Sequence, residues 1–465
     1  MYKKPRHNAV IASFVGFLFG FDTVVISGSN LPIKEVWNTS EWFHGFFIMS
    51  VALWGTLIGS ALGNIPCDRI GRKNTLFWIT VIYCISALGT ALATDPYFFS
   101  AYRFLGGIAI GASAVAAPTY ISEIAPHKRR GKLVGLFQLN IVCGILAAFL
   151  SNYLLVGLGG AQDWRLMMGA EAIPAIIFLT LVVDLPESPR WLISKKVKNK
   201  GSEIVHGILS TNHYSTNLLI AQLEEEKKQA GNRAFDFKNL KNSYLLAFLM
   251  ACFNQVCGVN FILIYGPEIL HLSGLETAES LLIPVFIGLA NLLFTIISLT
   301  FIDQVGRKKL MIIGSIGYLI SLSLLVVSSN GTTISSLGYS GFILFIISHA
   351  IGQGSVIWVF IAEIFPNLQR AKGQSFGSFV HWTLAALITF LGTVIIGSYE
   401  PVQIFSGFLV CAVFQLLFVL FLMPETSQLT LEELQMKLQT KISKPIQTPS
   451  AGAFPADSYK QSQIT

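Results

Sequence analysis

Charge is what this chain lacks. Asp, Glu, Lys and Arg make up 12% of its 465 residues, about half the share usual in soluble domains. No stretch reads G-x-x-x-x-G-K-[ST] or H-E-x-x-H, which removes a phosphate-binding loop and a zinc-protease helix. The six cysteines (Cys67, Cys84, Cys143, Cys252, Cys257, Cys411) form no C-x-x-C pair, so neither a redox motif nor a zinc site is written in them. They lie in or beside apolar runs, as small hydrophobes do. No acidic cluster faces a polar loop, and neither a metal nor a cofactor is expected. What is abundant is apolar surface. The hydrophobic share is 53% before 40 glycines are added, and mean hydropathy is +0.61. Disordered chains, disulfide scaffolds and ordinary water-soluble enzymes do not look like this; polytopic membrane proteins do.

Runs of about 20 apolar residues, each enough to cross roughly 30 Å of hydrocarbon as a helix, recur near 9–31, 43–65, 75–93, 97–121, 132–156, 165–185, 243–269, 280–302, 310–329, 338–362, 374–397 and 402–423. The first is too long for a signal peptide, carries Asp22 in its body and has no small-residue cleavage site. With the N-terminus inside and the spans alternating, 29 of the 32 Lys and Arg residues fall on the cytoplasmic side; Lys34 and Arg165 lie outside and Arg103 within a span. This is the positive-inside pattern. The net charge of +7 is therefore a topology device and not a nucleic-acid footprint, and both termini are expected in the cytoplasm.

The chain repeats itself. Glu123-Ile124-x-Pro126-x-x-x-Arg130-x-Lys132 returns as Glu363-Ile364-x-Pro366-x-x-x-Arg370-x-Lys372. Asp68-x-x-Gly71-Arg72-Lys73 returns as Asp303-x-x-Gly306-Arg307-Lys308, and Pro186-Glu187-Ser188 as Pro424-Glu425-Thr426. Nearly constant offsets, each at the same point of a six-span unit, argue for two homologous halves. The expected organisation is a six-helix half over 1–185, a cytoplasmic linker with short helices over 186–242, a second six-helix half over 243–426 and a cytoplasmic tail over 427–465. Within the linker, Leu218 to Gln229 reads as a short surface helix stopped by Gly231. The fold class is all-α and polytopic, and two halves around a midplane site are what alternating access requires.

Ionisable groups inside a bilayer are functional hypotheses by default. At roughly 1.5 Å per residue, Asp22, Arg103 and Glu171 each sit about 10 Å below the outer edge of the hydrocarbon. One base and two acids on three helices thus share a level and are expected to pair. Either they form a static weld between helices, or protonation of Asp22 releases Arg103 and couples proton entry to helix movement. Planar amides, which donate and accept together, are supplied by Gln138, Asn254, Gln255, Asn260 and Asn291. Each is suited to a polar ligand or to helix–helix hydrogen bonding. Gly352-Gln353-Gly354 offers its helix a weak point, although glycines also allow close packing.

These motifs resemble the major facilitator superfamily, marked by Asp68-x-x-Gly71-Arg72-Lys73. Within it they resemble the sugar porter family, marked by Pro186-Glu187-Ser188-Pro189-Arg190-Trp191-Leu192, Pro118-x-Tyr120-x-x-Glu123-x-x-Pro126 and Gln255-x-x-Gly258-x-Asn260. That family includes bacterial proton-coupled xylose, arabinose and galactose symporters and facilitative glucose transporters. The resemblance covers residues 9–426. It implies a monosaccharide, pentose or hexose, imported with a proton through a multi-pass protein of the plasma membrane, in contact with membrane lipid. The compact loops fit a bacterial inner membrane. It also implies that Asp22, Arg103 and Glu171 match the proton-coupling positions. Gln138, Gln255, Asn260 and Asn291 match sugar contacts, with Asn254 beside them, and Trp358 and Trp382 match aromatic ones.

Some residues depart from the family pattern. Asn254 stands where a second glutamine is usual, Ile264 replaces a tyrosine, His381 occupies a Gln or Asn position, and Ala385 stands where some members have Asn. His381 joins the expected site as a neutral hydrogen-bonding ring, whereas His349 reads as a packed, satisfied side chain. Facilitative uniport and a sugar-sensing transceptor remain the alternatives; an enzyme is not expected. The duplicated acids and bases are expected to form a cytoplasmic gate that latches the halves together. Its members are Asp68, Arg69, Arg72, Glu123, Arg130, Glu187, Arg190, Asp303, Arg307, Glu363 and Arg370. The triplets Asn38-Thr39-Ser40 and Asn330-Gly331-Thr332 match the glycosylation pattern by chance alone in such short loops.

Overall fold

The computed structural model describes residues 5–125, 130–195, 240–330, 333–366 and 369–427. Among them are twelve helices long and apolar enough to cross a membrane. They are α1 (Arg6–Trp37), α2 (Glu41–Leu62), α3 (Arg72–Ala91), α4 (Pro96–Ile124), α5 (Gly131–Leu155), α6 (Gly160–Val183), α7 (Lys241–Leu272), α8 (Thr277–Val305), α9 (Arg307–Ser328), α10 (Leu337–Glu363), α11 (Lys372–Ser398) and α12 (Pro401–Leu422). The expected apolar runs fall on these helices, several of which continue past the apolar stretch where capping residues sustain them. The Asp95 carboxylate accepts from the amides of Tyr97 and Phe98 with Pro96 at the first turn, and Glu400 and Gln403 form a capping box around Pro401. The described residues depart from helix in one small strand pairing, Ser329–Asn330 with Thr333–Ile334. From the linker, the helix Pro189–Ser194 is described. The expected helix 218–229 and the tail beyond 427 lie outside the described residues.

Small residues let these helices meet backbone to backbone, which apolar solvent alone would not enforce. Gly107 on α4 faces the Ala52 carbonyl of α2, and Gly20 on α1 faces that of Ile141 on α5; a Cβ at either would collide with it. Between the sequence halves, α1 packs on α7, α2 on α11 and α5 on α8. Trp78, Ile173, Phe286 and Phe421 stand exposed on the outside, as lipid-facing side chains of a multi-pass membrane protein do. Four spans are interrupted: α1 at Phe14, α6 at Ala170–Glu171, α7 at Cys257–Gly258 and α10 at Gly352. Irregular backbone at such depth is tolerated only where protein or a cavity answers the freed groups.

The duplicated motifs build the same cage twice at one end of the bundle, the basic end. Gly71 and Gly306 enter α3 and α9 with φ of +96° and +92°. Behind them, the Glu187 carboxylate accepts from the amides of Arg72 (2.9 Å) and Lys73 (3.1 Å), and Glu425 accepts from those of Arg307 (2.9 Å) and Lys308 (3.1 Å). The Arg72 guanidinium reaches the Cys67 carbonyl, Asp68 at 3.2 Å and Glu123 at 3.0 Å. Arg307 reaches the Ile302 carbonyl, and both Asp303 and Glu363 at 2.8 Å. Ser188 and Thr426 each donate a hydroxyl to the second oxygen of Glu123 and Glu363, and Lys73 and Lys308 cap the carbonyls of Val183 and Leu420.

Among the described residues these cages lace each half internally. Arg72 and Arg307 take up one carboxylate oxygen of Glu123 and Glu363, and Ser188 and Thr426 take the other. Glu363 pairs with Arg307 and not with Arg370, seven residues after it. Arg370 is half-buried with its Nε unpartnered; Arg130 opens the helix Arg130–Leu155, and its side chain lies outside the described residues. Arg69 is exposed, and Arg190 is half-buried within reach of the Glu123 charge.

A Cβ at Gly71 or Gly306 would require a left-handed backbone and would meet the carboxylate that caps the following helix. Gly306→Ala and Gly71→Ala are each expected to cost more than about 1 kcal/mol. The measurement is thermal unfolding of the detergent-solubilised protein, and an unchanged transition in both variants would show these turns to be unstrained.

Candidate functional site

Asp22 on α1 and Arg103 on α4 are almost fully buried and form an ion pair. One guanidinium nitrogen donates to Asp22 Oδ1 and another to the Asp22 carbonyl at 3.2 Å. The approach is possible because Gly106, one turn along α4, leaves room between Ser86 and Asp22. Glu171 sits at the interruption in α6, buried, and its charge acts on Arg103. Three atoms of this group have no hydrogen-bond partner: Asp22 Oδ2, Arg103 Nε and Glu171 Oε1. Asp22 and Arg103, placed at one level by helix rise, are thus in contact, and Glu171 adds a nearby charge to the group. With both acids ionised it carries a net negative charge, and one proton makes it neutral. Removing either half of a buried pair leaves an uncompensated charge, at a cost of about 3–5 kcal/mol.

The polar lining gathers around the interruption in α7. Gly258, at φ +95°, separates Lys241–Val256 from Val259–Leu272, so Gln255 ends one segment and Asn260 opens the next. Asn260 donates to Gln255 Oε1 at 2.8 Å, and Gln255 Nε2 donates to Asn254 Oδ1 at 2.9 Å. The same nitrogen lies 3.2 and 3.3 Å from the two ring nitrogens of His381. An amide N–H must meet a lone pair, so His381 serves here as a neutral acceptor. Its ring lies between Trp358, 5.1 Å away, and Trp382, 4.8 Å away. Trp382 in turn touches Phe19 of α1, which brings the cluster to the boundary between the halves. Five expected residues of the second half thus come together with Asn254. Asn291 is buried on α8, accepting from Thr295 at 3.4 Å, and Gln138 is half-buried on α5; neither hydrogen-bonds to this group. His349, as expected, is satisfied, 2.7 Å from the Tyr318 hydroxyl.

Sequence reasoning missed a buried network at the opposite, far end of the bundle. Asn30 on α1 donates to Glu268 on α7 at 2.7 Å, across the boundary between the halves. Its Oδ1 faces His44 Nε2 at 2.7 Å, and His44 Nδ1 faces the Thr39 hydroxyl at 2.8 Å. Because Asn30 Oδ1 can only accept, the His44 proton is on Nε2 and the hydroxyl donates to Nδ1. Beside it the Thr393 hydroxyl of α11 donates to the Glu41 carbonyl at 3.0 Å, a second bond between the halves, while Lys34 pairs with Glu41 at 2.7 Å. The available signal was Glu268 itself, an acid inside the seventh apolar run.

Residues 8–438 match the family described as sugar (and other) transporter. The chain is 31% identical over 432 residues to the D-xylose transporter of Levilactobacillus brevis, covering 92% of this chain and 94% of that protein. It is 32% identical over 432 residues to the arabinose-proton symporter of Bacillus subtilis (strain 168), covering 91% and 93%. Its backbone is similar to the inward open conformation of the xylose transporter XylE from E. coli, with a TM-score of 0.80 and 28% identity over 92% of this chain and 98% of that one.

If the Asn30–Glu268 bond helps seal the far end, Asn30→Leu strands a buried carboxylate at a cost of about 1–3 kcal/mol and favours opening there. Ile33 is fully buried beside it. A cysteine introduced by Ile33→Cys is expected to react faster with a maleimide in the Asn30→Leu background. Equal rates in the two backgrounds would remove this network from the seal.

Proposed function

The chain belongs to the sugar transporter family of the major facilitator superfamily, and from that premise we propose that it imports a monosaccharide by proton symport with alternating access. The observation that carries this reading is a buried Asp22–Arg103 ion pair with a second buried acid, Glu171, near enough for its charge to act on Arg103, an oxygen of each acid being left unpartnered. A static weld would need one acid. A second acid makes a site whose charge is balanced only when a proton is present. In this reading the proton lands on the free Asp22 Oδ2, Asp22 loosens its hold on the guanidinium, and Arg103 turns its charge toward Glu171. The neutral cluster then tolerates the repacking of α1 against α4 that movement of the first half requires.

Sugar recognition rests mainly with the second half. Gln255, Asn260 and Asn254 offer donors and acceptors to ring hydroxyls, and Trp358 and Trp382 offer faces to the C–H side. His381 adds an acceptor where a primary amide would supply both kinds of group. Gln138 and Asn291 belong to the same site from α5 and α8, and reach the sugar when it is bound. The relatives' names support a pentose or hexose, being those of xylose, arabinose and glucose transporters.

The two basic-end cages stiffen the ends of each half so that it moves as a body, with Asp68, Arg72, Glu123 and Glu187 in one and Asp303, Arg307, Glu363 and Glu425 in the other. In this reading Arg69, Arg130, Arg190 and Arg370 make the contacts between the halves when that end closes. The arrangement described, with cross-half bonds at the far end and Asp22 paired, corresponds to an inward-facing, deprotonated state. The basic end faces the cytoplasm, as do both termini.

Two experiments test this reading. In proteoliposomes, Asp22→Asn is expected to abolish sugar accumulation driven by a proton gradient while leaving sugar exchange measurable. Undiminished accumulation would leave uniport as the better reading. Gln255→Ala leaves sugar hydroxyls unpaired, at about 1–3 kcal/mol or roughly 5- to 150-fold in affinity. Calorimetry showing wild-type affinity would return Gln255 to helix packing.

A further inference from the structure

The amides at the proposed sugar site are the end of a longer chain that runs away from it into the second half. Gln255 Nε2 donates to Asn254 Oδ1 at 2.9 Å. Asn254 Nδ2 donates to Gln353 Oε1 at 3.4 Å, and Gln353 Nε2 to Gln415 Oε1 at 3.2 Å. Gln415 Nε2 donates to the Ser315 hydroxyl at 2.8 Å, and that hydroxyl to the Met311 carbonyl at 2.7 Å. Cys257 fills the remaining lone pair of Gln415 Oε1 from 3.0 Å. The chain passes from α7 through the first residue after the interruption in α10, then α12, to α9. Asn254, Gln353, Gln415 and Ser315 are all nearly inaccessible, so water does not compete for these bonds.

Such a chain has a direction, and its far terminus sets it. A helix carbonyl only accepts. The Met311 carbonyl therefore takes the Ser315 proton, and the Ser315 oxygen must accept. This turns the nitrogen of Gln415 toward α9 and its oxygen toward Gln353. The same choice is forced on Gln353, Asn254 and Gln255 in turn, and finally on Asn260, whose nitrogen faces Gln255 Oε1 at 2.8 Å. Turning any one amide over would set N–H against N–H and oxygen against oxygen, in a place where an unmade hydrogen bond is expensive.

We propose that Gln353 and Gln415 are positioning residues that fix, from outside the sugar site, which edges of Asn254, Gln255 and Asn260 donate and which accept, and so decide which sugar hydroxyls are recognised. Neither touches the sugar. Their effect is on polarity and not on shape, so it appears as a change in preference among analogues. The proposal rests on the sugar-site reading above.

The test uses the full-length purified protein and calorimetric affinities for D-xylose, D-glucose and their monodeoxy and monofluoro analogues. A fluorine cannot donate, and a deoxy position neither donates nor accepts, so the penalties map which hydroxyls give and which receive. Gln415→Met and Gln353→Met free the amides to turn over. They are expected to change the fluorine penalty at one or more hydroxyls by at least about 5-fold relative to wild type, which is about 1 kcal/mol. Gln415→Glu, when neutral, keeps an acceptor for Gln353 and a donor for Ser315, and is expected to retain the wild-type map. Affinities that fall uniformly across the panel in both Met variants, or that do not change, assign these residues to packing and overturn the proposal. Wild-type protein that binds no sugar of the panel overturns the sugar-site reading and this inference with it, a result distinct from bound sugar with an unaltered map.

Discussion

A polar group inside hydrocarbon has no water to turn to, and this constraint orders the molecule more than any single contact. Several of the described helices that carry such groups are placed so that another helix answers them. Arg103 draws α1 to α4 through Asp22, Asn30 draws α1 to α7 through Glu268, and the amides of α7 draw α10 and α12 inward. Apolar side chains supply area but little choice of partner, since lipid tails are as apolar as leucine. The polar groups specify which helix lies where.

The halves share a cage but divide the chemistry. In the first half Asp22, Arg103 and Glu171 carry charge, and in the proposed cycle their state depends on a proton. In the second, Asn254, Gln255, Gln353 and Gln415 are neutral amides, whose state depends on orientation. A charge can be cancelled and an amide can be turned, and the two operations suit a coupling ion and a hydroxyl-rich substrate respectively. The sequence halves meet where Trp382 touches Phe19 and where Asn30 meets Glu268, so a change on either side is felt across the boundary through packing as well as through charge.

Much of this was legible because helix geometry is regular. Run lengths gave the spans, and the rise per residue put Asp22, Arg103 and Glu171 at one depth before any contact was known. The Gln255-x-x-Gly258-x-Asn260 motif pointed to one wall of the site, and Gly352 to the break in α10. Other features depend on rotation about helix axes and on which helices become neighbours, which spacing does not encode. Glu268 stood at the end of an apolar run, where an acid reads as a boundary residue. Gln415 was a lone amide in α12, and Gln353 was hidden among glycines. Which partners the gate acids take depends on the same neighbourhoods: Glu123 and Glu363 meet the arginines that begin α3 and α9.

The positions of the hydrogen bonds across the boundary give the structure its sense of direction. Asn30–Glu268 and Thr393–Glu41 both lie at the far end, whereas the strongest charges of the basic end are spent inside each half. A bond between halves must break for the site to open on its side; a bond within a half need not change at all. The far end is thus closed by contacts suited to breaking, a few hydrogen bonds each worth about 1 kcal/mol net, or about 1.5–3 kcal/mol where one partner is charged. The basic end is built from contacts suited to lasting. In the proposed alternating-access cycle, opening the far end costs these two cross-half bonds and leaves both cages intact, so that two facing states lie close enough in energy for a bound solute or a proton to choose between them.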